Sequence, residues 1–406
     1  MLQNWKTTTL GEVLAPKGYI RGPFGSALRR NELLDSGIPV YEQQHAIYGI
    51  RDFRFFINTE KFEEMKRFET KPDDLIISCS GTLGKVSIIR EGDPKGIISQ
   101  ALLLLRANTD VILPQYLQYF FSSKKGYDSI VSRSSGSVQV NISKRADIEK
   151  IPLELPPIDE QKMIVGTLSA LDDKIERNSK LNHNLEQTAR AIFKSWFVDF
   201  EPFGGKMPSD WTVGKAEDFF DISIGKTPPR KEPQWFTVNP RDVVWVSISD
   251  MGSSGMYIAD SSEYLTAEAV SRFNVRIVPS GTVLLSFKLT IGRVAIANGE
   301  MTTNEAIAHF KHTDNTATEY LYCYLKTFDY QSLGNTSSIA TAVNSKTIKG
   351  MPFVMPDEET LKRFYDTTVS IFGQIRANIE DSTRLAQTRD NLLPRLMSGE
   401  LSVADG

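Results

Sequence analysis

The chain has 406 residues, 40% of them hydrophobic and 24% charged, with 47 Lys and Arg against 50 Asp and Glu for a net charge of −3. That composition is ordinary for a globular chain, and the length predicts two to three domains. Near-zero charge excludes a global basic field, so any nucleic-acid contact must come from local patches or be shared with a basic partner. No apolar run approaches a membrane span, the first twenty residues lack an apolar signal core, and Cys79 and Cys323 are too few and too distant for a disulfide framework or zinc motif. A reducing, cytoplasmic setting is expected.

Residues 1–155 read as a mixed, strand-rich domain. Short apolar runs, Leu75-Ile76-Ile77, Val86-Ser87-Ile88-Ile89 and Ala101-Leu102-Leu103-Leu104-Leu105, are bounded by Gly, Ser, Asp and Lys. They predict buried strands of a compact sheet or barrel. Residues 114–125 predict a short amphipathic helix, and the small polar stretch 132–141 a loop.

Residues 156–200 predict a central spacer helix. Pro156 and Pro157 open it, and no further proline occurs before Pro202. Apolar or small residues at Ile164, Leu168, Leu171, Ile175, Leu185, Ala189, Ile192 and Trp196 step by three and four except between Ile175 and Leu185. This is the seam of a long packed helix, roughly 60 Å of rod that needs a partner. Asn178 and Asn182 fill the gap in register. Two readings stay open: they fix the register of a helix pair, or they are exposed beside a seam shifted through Leu181.

Residues 201–211 form a turn-rich linker into a second domain, 201–355. Residues 356–406 predict a second long helix with its seam through Leu361, Phe372, Ile375, Ile379, Ala386, Leu393 and Leu396. Pro394 is expected to kink or end it.

The halves repeat. Residues 78–89 align with 285–297, both containing Gly, a basic residue and Val in succession. Residues 98–106 match 303–311, 114–121 match 318–325, and 134–157 match 336–357, after which each half enters its long helix. Two helices with comparable seams can pair antiparallel. The predicted fold class is α+β, with two similar mixed α/β domains separated by two long antiparallel helices and related by a pseudo-two-fold internal repeat.

Signatures of catalysis are weak. Gly225-Lys226-Thr227 ends like a phosphate loop, but the earlier glycine it needs is Phe220. His309 and His312 lack the Glu of a zincin and read as a sheet or surface pair. Asp52 with Glu64-Met65-Lys66 only loosely echoes a nuclease carboxylate cluster, and there is neither an amino-methyltransferase motif nor a nucleotide fingerprint. Neither a metal nor a cofactor is expected on this chain.

Binding features are richer. Residues 17–30 combine Lys17, Arg21, Arg29 and Arg30 with Tyr19, Phe24, Ser26 and three glycines. Glycines let backbone approach a ligand, and arginine can pair bidentately with guanine or phosphate. Gln43, Gln44 and His45 follow, then Tyr48 and Arg51; glutamine can read adenine. Ser80, Thr82 and Lys85 form a turn suited to phosphate, as do Arg133, Ser134, Ser135, Gln139 and Asn141. The second half offers Lys226, Thr227, Arg230, Lys231 and Trp235. Later come Ser247, Ser249, Lys288, Thr290, Arg293, Ser337, Ser338, Asn344 and Lys346.

Four stretches, residues 21–28 (RGPFGSAL), 225–235 (GKTPPR with Trp235), 155–181 (LPPIDEQKMIVGTLSALDDKIERNSKL) and 392–401 (LLPRLMSGEL), resemble the DNA-specificity subunit of a Type I restriction–modification system. The order domain, helix, domain, helix covers essentially the whole chain. The Pro-Pro-x-x-Glu-Gln helix entry recurs at 356–360 only as Pro-Asp-Glu-Glu-Thr, a degenerate copy. The resemblance implies two target-recognition domains, 1–155 and 201–355, each reading one half of a bipartite, asymmetric double-stranded DNA site. It implies that the helices are the spacer and a docking surface for two modification subunits. S-adenosylmethionine, ATP and Mg are expected on those modification subunits and on the restriction (motor-nuclease) subunits, and catalysis is not expected on this chain. The alternatives are a coiled-coil adaptor without a DNA role and a standalone DNA-modifying enzyme.

Overall fold

The computed structural model describes residues 5–23, 27–132, 141–142, 144–312, 315–333 and 343–402. The chain divides into two compact units, residues 1–174 with 384–406, and Ile175–Thr383. The division falls inside both long helices, so each unit takes part of each.

In the first unit, strands Leu14–Arg21, Leu102–Ala107, Leu75–Ser78 and Val86–Ile88 lie in that order in an antiparallel sheet. Alternate side chains on a strand face opposite ways. Leu75, Ile77, Leu103 and Leu105 enter one core, and Ile76, Leu102 and Leu104 another. Both faces are covered, which is why residues 101–105 read as an unbroken apolar run. A three-stranded sheet places Ile38–Tyr41 antiparallel to Phe56–Ile57 and parallel to Ile97–Ile98. The ends of the domain are tied by Lys6–Thr9 pairing antiparallel with Pro152–Leu155.

The second unit repeats this plan. Strands Asp221–Ile224, Ile307–Lys311, Val283–Ser286 and Val294–Ala297 keep the same order, with Tyr257–Ile258 added at the edge. Phe236–Thr237, Tyr264–Leu265, Val243–Val246 and Thr302–Thr303 form the second sheet, and Thr212–Lys215 with Pro352–Met355 the closing pair. Val283 and Leu285 enter one cluster and Leu284 another. His309 lies in this sheet with Nδ1 3.0 Å from Ser223 Oγ and Nε2 2.7 Å from Thr303 Oγ1.

The long helices are Ile158–Phe197 and Glu358–Met397, 40 residues each. The second, expected to kink or end at Pro394, passes through it and ends three residues later. The proline lacks the N–H that would donate to the carbonyl of residue 390, so the ladder loses that hydrogen bond in the last turn. Within the first unit Ile164 and Leu168 pack in one cluster with Leu393 and Leu396. Within the second, Ala189 and Phe193 pack with Leu361, Phe364, Phe372 and Ile375. In both units the early part of one helix meets the late part of the other, the antiparallel pairing read from the seams.

The helix entries explain the Pro-Pro-x-x-Glu-Gln stretch. Gln161 is fully buried; its Oε1 accepts the Leu113 N–H at 2.8 Å, and its Nε2 donates to Val111 O at 3.2 Å and Pro156 O at 2.9 Å. The second helix has Leu361 in the corresponding place and is anchored otherwise. Asp357 accepts from the Thr360 N–H and hydroxyl at 2.9 and 2.6 Å, and from the Trp211 indole at 3.1 Å. A capping aspartate thus replaces a buried amide.

Candidate nucleic-acid interface

Two hairpin loops share one frame. In the first unit, Ser78 N donates to Lys85 O at 2.9 Å and Ser78 Oγ accepts Lys85 N at 3.0 Å. Gly84 N donates to Ser78 O at 2.9 Å. In the second unit, Ser286 N donates to Arg293 O at 2.9 Å, Ser286 Oγ accepts Arg293 N at 3.0 Å, and Gly292 N donates to Ser286 O at 3.1 Å. The loop tips then differ. Gly81, Thr82 and Lys85 are exposed in one, and Lys288, Leu289 and Thr290 in the other.

Beside the first loop a cavity of about 340 Å³ is lined by Glu42, Gln43, Gln44, Arg54, Ser80, Gly81, Ser99 and Ala101. A smaller one of about 160 Å³ adjoins it, sharing Glu42 and Ser99 and reaching Pro23, Leu28 and Phe55. The short helix Gln43–Tyr48 supplies the two glutamines. Gln43 Oε1 accepts the Ser80 N–H, and Gln44 Nε2 donates to Asp52 O, both at 3.3 Å. Each amide therefore keeps its other end for a ligand.

Arg54, absent from the sequence candidates, stands on this cavity. Its Nε and Nη2 both donate to Glu42 at 2.7 Å, its guanidinium lies 4.8 Å from the Phe55 ring, and its side chain is 65% exposed. The second unit holds a comparable device. Arg230 Nη1 and Nη2 donate to Glu263 at 3.0 and 2.8 Å, with the guanidinium 4.0 Å from the Phe236 ring and 4.6 Å from Trp245. A carboxylate that grips two nitrogens fixes the plane of the arginine fork.

Other predicted site residues are exposed: Lys17, Arg29, Arg30, Lys226, Lys231, Ser249 and Lys346. Thr227 is half-buried and donates to Glu305. Asn344 caps the helix Ser345–Lys349 by accepting from Lys346 N at 2.9 Å and Thr347 N at 3.1 Å. Asn141 bridges to Ser80 in the corresponding place. Arg21 is half-buried at the end of its strand. Ser26, Arg133, Ser135, Gln139 and Ser338 lie outside the described residues, as do Phe24, Ser134 and Ser337.

Several expectations are corrected. Tyr19 is a core residue, and burial pushes its phenol up to about 12. His45 is fully buried, its Nε2 2.9 Å from Asp52 O. Trp235 is buried and donates its indole N–H to Glu232 at 2.8 Å. Arg51 spends its nitrogens on Asp93 at 2.7 Å and on the carbonyls of Ile88, Ile50 and Gly49. Arg293 donates to Ile248 O at 2.6 Å and lies against Gly252. Aromatic and cationic residue types are common to cores and interfaces, and sequence does not show which way they point. Gly22 and Gly225 are needed for the fold itself. A Cβ on either would sit 2.0 Å from Ser99 O or Thr303 Oγ1 of a neighbouring segment.

The family described as Type I restriction modification DNA specificity domain matches residues 3–187 and 208–381. The Type I restriction enzyme HindI specificity subunit of Haemophilus influenzae is 24% identical over 377 residues, covering 75% of this chain and 81% of that protein. The MjaIX specificity subunit of Methanocaldococcus jannaschii is 25% identical over 318 residues, covering 73% and 71%. In fold, the chain is similar to the crystal structure of a Type I restriction-modification system S subunit from M. genitalium, with TM-score 0.54, 14% identity, and coverage of 97% and 96%.

Proposed function

The chain belongs to the family of Type I restriction–modification DNA specificity subunits, and from that premise we propose that it reads a bipartite, asymmetric DNA site, one half through each unit. The half-sites flank unspecified bases, and the long helices set the tolerated spacing between them. Two modification subunits bound to this chain methylate adenine at N6 with S-adenosylmethionine. Restriction subunits using ATP and Mg join for cleavage. The chain works with them in the cytoplasm.

The observation that carries the reading is the shared hairpin frame with different tips: Ser80-Gly81-Thr82 in one unit and Lys288-Leu289-Thr290 in the other. One scaffold presenting different side chains is what two different half-sites require. Exposed Lys17, Arg29, Arg30, Lys85, Lys226, Lys231 and Lys346 supply phosphate contacts, which position a protein on DNA without specifying sequence. Gln43, Gln44, Arg54, Arg230, Ser249 and Thr290 are the base-reading candidates.

The test is a chimera in which residues 201–355 are replaced by those of another family member. The modified adenines are then sequenced in DNA exposed to the complete methyltransferase. One half of the methylated sequence should change and the other persist. A change in both halves would overturn independent reading.

A further inference from the structure

Leu289 stands at the tip of the hairpin loop between Val283–Ser286 and Val294–Ala297. It is 88% exposed and has a left-handed φ of 61°. The Thr290 N–H donates to Lys288 O at 2.6 Å, closing a three-residue γ-turn around it. This turn, with a positive φ at its centre, is rare and strained for any residue but glycine. The shared frame identifies the corresponding residue of the first unit as Gly81, with φ of 67°. Glycine therefore satisfies this loop. Leucine adds backbone strain and an aliphatic chain in water, and among the described residues it is 88% exposed, with no packing to offset either.

An uncompensated cost of this kind points to a ligand outside the chain. The flanking residues narrow its chemistry. Lys288 and Thr290 are both exposed, one a cation and the other a hydroxyl. A duplex offers partners to all three side chains: phosphate to the lysine, acceptor edges to the threonine, and an apolar group to the leucine. In the major groove that apolar group is the C5-methyl of thymine.

We propose that Leu289 is a specificity-determining residue of the second unit that packs against a thymine methyl in the half-site this unit reads. The inference rests on the DNA-reading function proposed above. It also accounts for the divergence of the two tips, since Gly81 cannot make such a contact and the first unit must read its bases with other groups.

The test uses the full chain assembled with its modification subunits. Leu289→Gly restores the residue of the first unit, so it relieves strain while removing the contact. Urea denaturation should show stability equal to or above wild type. Sequencing of methylated sites selected from a randomised duplex library should show relaxed preference at one thymine of one half-site. Replacing that thymine by deoxyuridine should weaken wild-type binding by roughly fourfold to tenfold, from the loss of one buried methyl, and leave Leu289→Gly binding unchanged. Unaltered site preference in the variant would overturn the proposal, as would weakened binding that is insensitive to deoxyuridine. Loss of assembly with the modification subunits would overturn it too, by making the occupant a protein. The chimera of residues 201–355 keeps the two readings apart. If it changes one half-site while Leu289→Gly changes nothing, only the leucine contact falls.

Discussion

Asn178 and Asn378, 200 residues apart in sequence, are buried against each other in the helix pair and bond in reciprocal fashion. Asn178 Nδ2 donates to Ser382 Oγ at 3.2 Å, while Asn378 Nδ2 donates to Asn182 Oδ1 at 2.8 Å. Each asparagine reaches the residue four positions beyond the other. Leu181 is 44% exposed, so the alternative seam is ruled out. Asn178 also lies 3.1 Å from Asp381 Oδ2. A slipped or parallel pairing would leave these amides buried without partners, which makes them register keys. Asn378→Ala should cost about 1–2 kcal/mol in urea denaturation. Asn178→Leu with Asn378→Leu should cost less, or stabilise, while broadening the half-site spacings that the assembled methyltransferase accepts. An unchanged spacing profile in the double variant would remove the register role.

His309 and Glu319 give the second unit opposing responses to acid. Burial lowers the His309 pKa from 6.5 to about 4, so the folded state keeps it neutral where the unfolded chain is protonated. Its contribution to stability is therefore lost as pH falls from 6.5 toward 4. Glu319 is buried with Oε2 unpartnered among the described residues, and burial raises it from 4.5 to about 7. Its contribution is complete below 4.5 and is lost as pH rises through 7. Each shift corresponds to about 3 kcal/mol. Between pH 4.5 and 6.5 the two slopes oppose. Relative to wild type, Glu319→Gln should lose stability faster on acidification, and His309→Gln should lose it on the approach to neutrality. Parallel urea midpoints for the three proteins across that range would contradict both assignments.

Gln161 should be among the most sensitive positions of the first unit. It ties the first turn of its helix to the segment at 111–113 through two hydrogen bonds and to Pro156 O through a third. Gln161→Ala strands the buried Leu113 N–H and should cost about 2 kcal/mol in urea denaturation. Gln161→Glu should cost more, because a carboxylate faces the Val111 and Pro156 carbonyls. A glutamate variant as stable as wild type would show that water reaches the site.

The architecture was legible wherever burial is periodic. The strands at 75–77 and 101–105 show as apolar runs because two cores clamp one sheet, and the helix seams show because each meets a partner helix. Phe193 and Phe364 were missed although each stands one helical step from a seam residue, four beyond Ala189 and three beyond Leu361; their rings meet across the helix pair at 6.3 Å, with Phe193 also facing Tyr320 and Tyr324 and Phe364 also facing Trp196 and Phe197. The interface was less legible. Tyr19, His45, Arg51 and Trp235 have binding chemistry but inward side chains. Glu42 and Arg54 were missed because their pairing joins different elements. Leu289 left no trace because a left-handed φ shows in sequence only where glycine fills it.

The Glu42–Arg54 pair makes a sharp prediction about the first half-site. Glu42 occupies Nε and one Nη2 hydrogen of Arg54, which leaves the Nη1 and remaining Nη2 hydrogens for a ligand. Those two nitrogens form the end-on fork that matches O6 and N7 of guanine, and Phe55 beneath the plane restricts its tilt. Arg54→Ala in the assembled methyltransferase should relax preference for guanine at one position by about 10- to 100-fold. Arg54→Lys should not restore it, since an ammonium cannot present the fork. Glu42→Ala should weaken the same preference by releasing the guanidinium, with the rest of the site unaffected. The readout is the sequence distribution of methylated sites from a randomised duplex library. If Arg54→Ala instead weakens binding equally across sequences and flattens its salt dependence, Arg54 grips phosphate, and base reading in the first unit passes to Gln43 and Gln44.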